Sequence, residues 1–357
     1  MTQQVHVRKN DLAKAELVTL DQTALGEGAV RLEVESFSVT SNNITYAVVG
    51  DGFGYWNFFP APDGSGIVPM WGHARVIESN SPDLAVGERV YGYLPMASHL
   101  DVVPGKVSAS GFVDMAEHRQ PMSPIYNQYS RLAADPEHDP AREGERMIFG
   151  PLFKTGFLIE YFMRSESWFG ASQLVVTSAS SKTAMGLASV AKRRSPDVRR
   201  IGLTSAGNVG FVEASGLYDL VLAYDAVDQI PDAPSVSVDF AGNSSLLRRI
   251  HEHLGEALKY SCLVGVTHIE AREGGTAEIP GPTPTLFFAP DHAVALFREA
   301  GPEAAGQMMA ESWRGFLEDA GSSIEIERLA GLDRAREVFL EMLGGKVDPA
   351  RGIVIEP

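Results

Sequence analysis

Residues 173–194 read QLVVTSASSKTAMGLASVAKRR, and the fold follows from how this stretch is read. Leu174, Val175 and Val176 form the short apolar run that a strand buried on both faces carries. A polar turn occupies 177–182, after which Ala184, Leu187, Ala188 and Ala191 recur at helical spacing. Lys192, Arg193 and Arg194 close the segment, where a helix C-terminus favours cations. Ser180 or Ser181 is placed to cap the helix. Strand, small-residue turn and helix together turn backbone N–H groups and a helix N-terminus toward a phosphate. No G-x-G-x-x-G is present, and only Gly186 remains, inside the helix, so a plain strand-to-helix connection is the competing reading.

The downstream rhythm favours the phosphate turn. Strands are expected at 174–176, 201–203, 220–223, 236–240, 263–266 and 285–288, with helices over 183–194, 208–215 and 245–254. Such alternation builds a parallel sheet with helices on both faces, and ligands bind where its strands end. The residues at that edge are 177–182, 204–208, 241–243 and 267–268. Beyond them come a helical stretch over 291–319, a strand at 323–327, a helix over 333–343 stopped by Gly344 and Gly345, and a strand at 353–355. This tail is too short to stand alone and is expected to complete the N-terminal domain.

Upstream, residues 1 to 125 look β-rich. Over 30–39 (VRLEVESFSV), Val30, Leu32 and Val34 alternate with Arg31, Glu33 and Glu35, the pattern of a half-buried strand. Further strands are expected at 74–77 and 89–94, with turns at Pro82 and Gly87, which suggests a small barrel. An aromatic-rich insertion carries Tyr46, Tyr55, Trp56, Phe58, Phe59 and Trp71. Two readings stand: a local core beneath a long loop, or the wall of an apolar substrate pocket. Residues 135–145 (DPEHDPAREGE) read as a linker with an exposed, inert His138, leading into a long helix over 147–169.

The chain has 357 residues, enough for two domains, and a net charge of -16. That balance argues against nucleic-acid and anionic-membrane partners. The pairs Arg193–Arg194, Arg199–Arg200 and Arg248–Arg249 read as solvated helix ends. A single cysteine, Cys262 in an apolar run, excludes an internal disulfide and reads as a buried structural thiol. The opening MTQQVHVRKN has no apolar core and no segment is long enough to span a bilayer, so a cytoplasmic protein is expected. The histidines show no metal-ligand spacing, and His251 and His253 point to different faces of one helix.

Taken together the motifs resemble the medium-chain dehydrogenase/reductase superfamily, in its zinc-free quinone and enoyl reductase branch. LGEGAVRLEVESFSVTSNNITYAVVGD is similar to the barrel entry of that superfamily, VGERVYGY (86–93) to its V-G-D-R-V motif, and SVDFAGN (237–243) to its D-x-x-G. The closing LAGLDRAREVFLEMLGGKVDPARGIVIEP resembles its C-terminal end. A closer likeness is to an uncharacterised family of the same type and unknown function (DUF2855), through NNITYA (42–47), GYWNFFP (54–60), WG (71–72), YNQY (126–129) and ASSKTA (179–184). The resemblance implies an α/β chain: a GroES-like β-barrel catalytic domain (1–130 with 318–357) and a Rossmann doubly wound nucleotide-binding domain (131–317).

The departures have consequences. The zinc-dependent branch carries a cysteine ahead of G-H-E. Here Gly72-His73-Ala74 keeps the histidine but lacks the glutamate, and no cysteine precedes it. A catalytic zinc needs three protein ligands, so no metal is expected. Lys182-Thr183 lacks the glycines of a P-loop.

The resemblance implies a nicotinamide dinucleotide. Backbone N–H groups over Ser180, Ser181, Lys182, Thr183 and Ala184, with the Lys182 ammonium, are expected to hold its diphosphate. Gly242 and Thr267 lie on the same edge. The second strand ends in Thr204 and Ser205 with no acid to repel a 2′-phosphate, and Ser205 and Asn208 can donate to one, so NADPH is favoured over NADH. Tyr46, as first choice, and Tyr55 and Tyr126 are candidates to protonate or polarise a substrate, and Asn42 to orient the nicotinamide or a carbonyl. Phe58, Phe59 and Trp71 are candidates for the substrate pocket. The expected function is NADPH-dependent, zinc-independent reduction of an enone, enoyl group or quinone by hydride transfer. The alternative is a dinucleotide-binding sensor or scaffold without turnover, and a third reading is an enzyme acting at C–O or C–N bonds that uses the nucleotide structurally. A homodimer through the edge strand at 286–288 is expected, as in the family.

Overall fold

The computed structural model describes residues 1–264, 279–345 and 348–357. The chain forms two compact units: Met1–Ile148 with Glu325–Pro357, and Phe149–Ile324.

The first unit is built on antiparallel strands. Val30–Val39 is its spine, since it pairs with Pro69–Ser79, His99–Val102 and the last strand, Arg351–Glu356. The last strand therefore completes the sheet that Val30–Val39 starts. Val30, Leu32 and Val34 alternate with polar neighbours, as period-two strands require, a register shift between Val34 and Ser36 follows, and Phe37 joins the same core with Val76, Val90 and Leu94. A hairpin of Thr2–Arg8 and Asp11–Leu20 precedes them. Between Val30–Val39 and Pro69–Ser79 the expected loop is partly a helix, Ser41–Val48, closed at its start by a capping box between Thr40 and Asn43.

The stretch read as a linker is not inert. His138 is half-buried with Nε2 2.9 Å from Glu143 Oε1, and Arg89 grips the same carboxylate at 2.7 Å. Burial works against the charge on Glu143, but hydrogen bonds from Arg89 and His138 prevail and hold its carboxyl down at about 2. The long helix runs over Glu143–Ser165, earlier at both ends than expected. It stops because Ser167, Trp168, Phe169 and Gly170 all take positive φ, between 50° and 76°. Trp168 is locked there by its indole N–H on Ser195 Oγ, and Phe169 by stacking on Tyr260 at 4.3 Å.

The second unit carries a sheet of six parallel strands among the described residues, ordered Leu220–Ala223, Arg199–Thr204, Gln173–Val176, Ser235–Asp239, Leu258–Val264 and Thr285–Phe287. The fifth strand begins five residues before its expected start at 263, and Val266, Thr267 and His268 lie outside the described residues. Gln173–Val176 is fully buried at the centre. The helix Lys182–Arg194 follows it and crosses the long helix so closely that a Cβ on Gly156 would stand 2.5 Å from Leu187 N. The helical stretch expected over 291–319 is two helices, Ala289–Ala300 and Pro302–Ala320, broken at Gly301-Pro302 where φ of Gly301 is 80°.

The basic pairs are less solvated than expected. Arg194 lies 3.8 Å from buried Glu160, and Arg200 is itself buried on Asp219 at 2.8 Å. Cys262 is buried, as expected, and burial pushes its thiol pKa up. No helix among the described residues is long and apolar enough to cross a membrane.

Candidate functional site

The turn after Gln173–Val176 is held from every side by the surrounding strand ends. Ser178 has φ 51°, the left-handed conformation for which glycine is the usual residue. Burial raises the Tyr224 phenol pKa, and neighbouring Ser178 lowers it against that trend. Tyr218 donates its hydroxyl to Ala179 O at 3.1 Å, and Ala179 N donates to Leu203 O at 3.0 Å. Thr177, buried, donates to buried Asp239 and accepts from the amides of Phe240 and Ala241 at 3.0 and 3.1 Å. These bonds tie the end of the first strand to the end of the fourth.

Two of the amides expected to hold a diphosphate are already engaged. Ser181 N donates to Ser178 O at 2.7 Å, and Ala184 N donates to Ser181 Oγ at 3.3 Å, which makes Ser181 the helix cap. Donors nonetheless converge on this end. Asn208 Nδ2 and Thr204 Oγ1 both donate to Ser180 Oγ, at 3.1 and 3.4 Å. With its oxygen occupied from two sides, Ser180 directs its own hydroxyl proton away from both. That proton and the N-terminus of a 13-residue helix, whose first residue is Lys182, make a donor set suited to a phosphate. After Thr204 the chain continues through exposed Ser205, Ala206 and Gly207 with no carboxylate. Gly242, φ 66°, turns the chain after Asp239.

In the first unit the aromatic insertion folds into a cage. Tyr46, from the helix Ser41–Val48, is buried, and burial raises its phenol pKa. Its oxygen accepts from Asn42 Nδ2 at 2.7 Å and from Trp71 Nε1 at 3.1 Å. Asn42 thus spends its amide on Tyr46, four residues on along the same helix. Around Tyr46 stand Tyr55 at 4.6 Å, Tyr93 at 5.5 Å and Tyr126 at 6.3 Å between ring centroids. Tyr55 and Tyr126 are half-buried, and their hydroxyl oxygens are 3.1 Å apart. Trp71 is half-buried too, whereas Phe58 and Phe59 lie in the core, with the Arg119 guanidinium 5.4 and 5.1 Å from their centroids.

Arg119 went unnoticed in the sequence. It is 1% exposed and bonds Asp114 Oδ2 at 2.8 Å, Asn127 Oδ1 at 3.0 Å, the Tyr129 hydroxyl at 2.9 Å and Tyr126 O at 2.7 Å. Its partners lie 5 to 10 residues away across two short 3-10 turns and a strand, a spacing that carries no recognisable pattern.

His73 is fully buried and neither ring nitrogen has a hydrogen-bond partner. Burial pushes its pKa down to about 3, with nearby Arg146, Arg89 and His138 pulling the same way and Glu143 opposing. Among the described residues no group of three or more His, Cys, Asp or Glu side chains could hold a metal ion.

A family model described as "Protein of unknown function (DUF2855)" matches residues 37–348. The chain belongs to that family. No curated protein matches the sequence of this DUF2855 member. Solved structures do match its fold. CurA from Vibrio vulnificus in complex with NADPH is 14% identical, covers 99% of this chain and 98% of its own, and superposes with a TM-score of 0.58. The yhdH oxidoreductase from Salmonella enterica in complex with NADP is 14% identical over 100% of both chains, with a TM-score of 0.54. The quinone oxidoreductase from Coxiella burnetii is 13% identical over 100% of this chain and 99% of its own, with a TM-score of 0.57. At such identity the likeness is one of fold. This DUF2855 chain has the medium-chain dehydrogenase/reductase fold, a GroES-like domain with a Rossmann domain.

Proposed function

We propose that this protein is an NADPH-dependent, zinc-independent oxidoreductase that reduces a C=C bond conjugated with a carbonyl, or a quinone. The observation that carries the reading is the donor set of Ser180, Lys182 and the helix N-terminus. It lies at the first strand's end in a fold whose solved neighbours include complexes with NADPH and NADP. Ser180, Lys182 and Thr183 hold the diphosphate, and Ser178 supplies the backbone turn that glycine supplies elsewhere. Thr204, Ser205 and Asn208 border the ribose, and the lack of a carboxylate there admits a 2′-phosphate.

Reduction of such acceptors adds a hydride and a proton, and the bound nicotinamide supplies the hydride. Tyr55 supplies the proton. It is the less deeply buried of the two half-buried phenols of the cage, whereas buried Tyr46 has its oxygen occupied by Asn42 and Trp71 and serves as the ring on which Tyr55 rests. Trp71 and Tyr126 offer the remaining half-buried aromatic surface to a flat acceptor.

The test is oxidation of NADPH followed at 340 nm against a panel of enals, enones and quinones, beside calorimetric titration with NADPH and NADH. Turnover lost in Tyr55→Phe with NADPH affinity kept is the expected result. Heat of binding without turnover on any acceptor would favour a dinucleotide-binding sensor. No heat with either coenzyme would remove the oxidoreductase reading.

A further inference from the structure

Resting on the reading of Tyr55 as proton donor, we infer that Tyr126 is its positioning residue: the Tyr126 hydroxyl donates to Tyr55 Oη and aims the Tyr55 proton outward. The oxygens are 3.1 Å apart, within hydrogen-bond reach, and the rings meet edge to face at 5.7 Å. Two hydroxyls in contact share one proton between them, so one of the pair keeps a proton for a third group.

The direction of donation follows from what holds each ring. Tyr126 is the fixed member. Its carbonyl accepts from Arg119 Nη2 at 2.7 Å, and its ring meets Tyr93 at 4.8 Å and Phe58 at 5.5 Å. Arg119 is in turn fixed by Asp114, whose other oxygen accepts from the amides of Val103 and Ala116 at 2.9 and 3.0 Å. Tyr129, which accepts from Arg119, donates its hydroxyl to Tyr93 O at 2.6 Å. One buried ion pair thus fixes the backbone of Tyr126 and Tyr93 together.

Tyr55 comes from a short turn preceded by Gly54 at φ 73° and by exposed Asp51, Gly52 and Phe53. It is the less deeply buried member of the pair, and a donor behind it orients its proton. When Tyr55 gives that proton to the acceptor reduced by the nicotinamide hydride, a phenolate forms on Tyr55. The Tyr126 O–H bonds to that phenolate, and water returns the proton. Burial raises both phenols, and the Tyr126 hydrogen bond lowers Tyr55 against that trend. The charged or titratable groups facing the pair are Tyr46, Tyr93 and, behind them, Arg119.

Tyr126→Phe keeps the ring and removes only the hydroxyl. In steady-state kinetics with NADPH it should lower kcat by about tenfold with KM little changed. Protein carrying 3,5-difluorotyrosine, whose phenols ionise at lower pH, gives a readout that does not need turnover. The 19F resonance assigned to Tyr55 by its loss in Tyr55→Phe should titrate about one pH unit higher in Tyr126→Phe than in the wild type. An unchanged Tyr55 midpoint, or unchanged kcat where Tyr55→Phe is inactive, would overturn the inference and leave the reductase reading standing. A wild-type protein with no turnover but a shifted midpoint would sink the reductase reading and keep the pairing. Equal thermal midpoints for wild type and Tyr126→Phe confirm that folding is not what changed.

Discussion

His73 is a buried imidazole with nothing to bond, and two consequences follow. Leaving a buried polar group unpaired costs about 1–3 kcal/mol, so His73→Leu should raise stability at neutral pH by about 1 kcal/mol, read from urea unfolding. The second consequence concerns acid. The unfolded imidazole takes a proton below its ordinary value of 6.5, while the folded one stays neutral down to about 3. The unfolded state therefore binds more protons across that window, and stability falls as pH drops through it, by up to about 1.4 kcal/mol per pH unit. His73→Leu should flatten that part of the curve, and an unchanged acid slope would show that the imidazole titrates normally.

Lys182 carries a test of the proposed diphosphate site. If its ammonium meets phosphate, Lys182→Ala should weaken NADPH binding by about 1.5–3 kcal/mol, the range for hydrogen bonds to charged groups. An unchanged calorimetric Kd would take Lys182 out of the site. Neither role was readable from a residue type alone. A histidine after Gly72 looks the same in sequence whether it binds a metal, a ligand or nothing, and only the closed packing around it decides.

Among elements, the link between the long helix and the first parallel strand is unusual. Three L-residues in succession hold left-handed φ at 167–169, each at a cost of about 1–2 kcal/mol. Exposed Ser167 is the one whose side chain the packing does not need. Ser167→Gly should therefore stabilise by about 0.5–1 kcal/mol, allowing for glycine's greater freedom when unfolded. A lower thermal midpoint would mean that the serine does more than occupy the turn. The crossing at Gly156 predicts the opposite sign. A methyl there meets backbone, Leu187 N at 2.5 Å and Thr183 O at 2.9 Å, so Gly156→Ala should destabilise by about 1–3 kcal/mol despite alanine's better helix propensity.

The strands of the parallel sheet were readable as short apolar runs between turns, whereas Thr2–Arg8, Asp11–Leu20 and His99–Val102, with few consecutive apolar residues, were not singled out. Val30–Val39 was expected with its observed bounds. The helix Ser41–Val48 was not, because SNNITYAV offers a cap but no apolar stripe longer than two turns. The left-handed turn has no sequence signature at all, since serine, tryptophan and phenylalanine take that conformation only under tertiary constraint.

For the molecule as a whole, the sheet edge at Thr285–Phe287 and the neighbouring exposed Phe288, Val294 and Phe297 leave apolar surface open. Sedimentation velocity should find a homodimer at micromolar concentration, and a charge placed by Val294→Glu should shift it toward monomer. A monomeric wild type would count against pairing along this edge. What linked residues distant in sequence, such as Tyr55 with Tyr126 or Val39 with Ile353, could not be read from local spacing. Those contacts exist only once the barrel has closed, so topology had to come from resemblance and geometry.

The four tryptophans supply an optical consequence. Trp56, Trp168 and Trp313 are no more than 6% exposed, whereas Trp71 is half-buried and donates its indole proton to Tyr46. Emission quenched by acrylamide should therefore come almost wholly from one indole, which gives the aromatic cage its own dye without labelling.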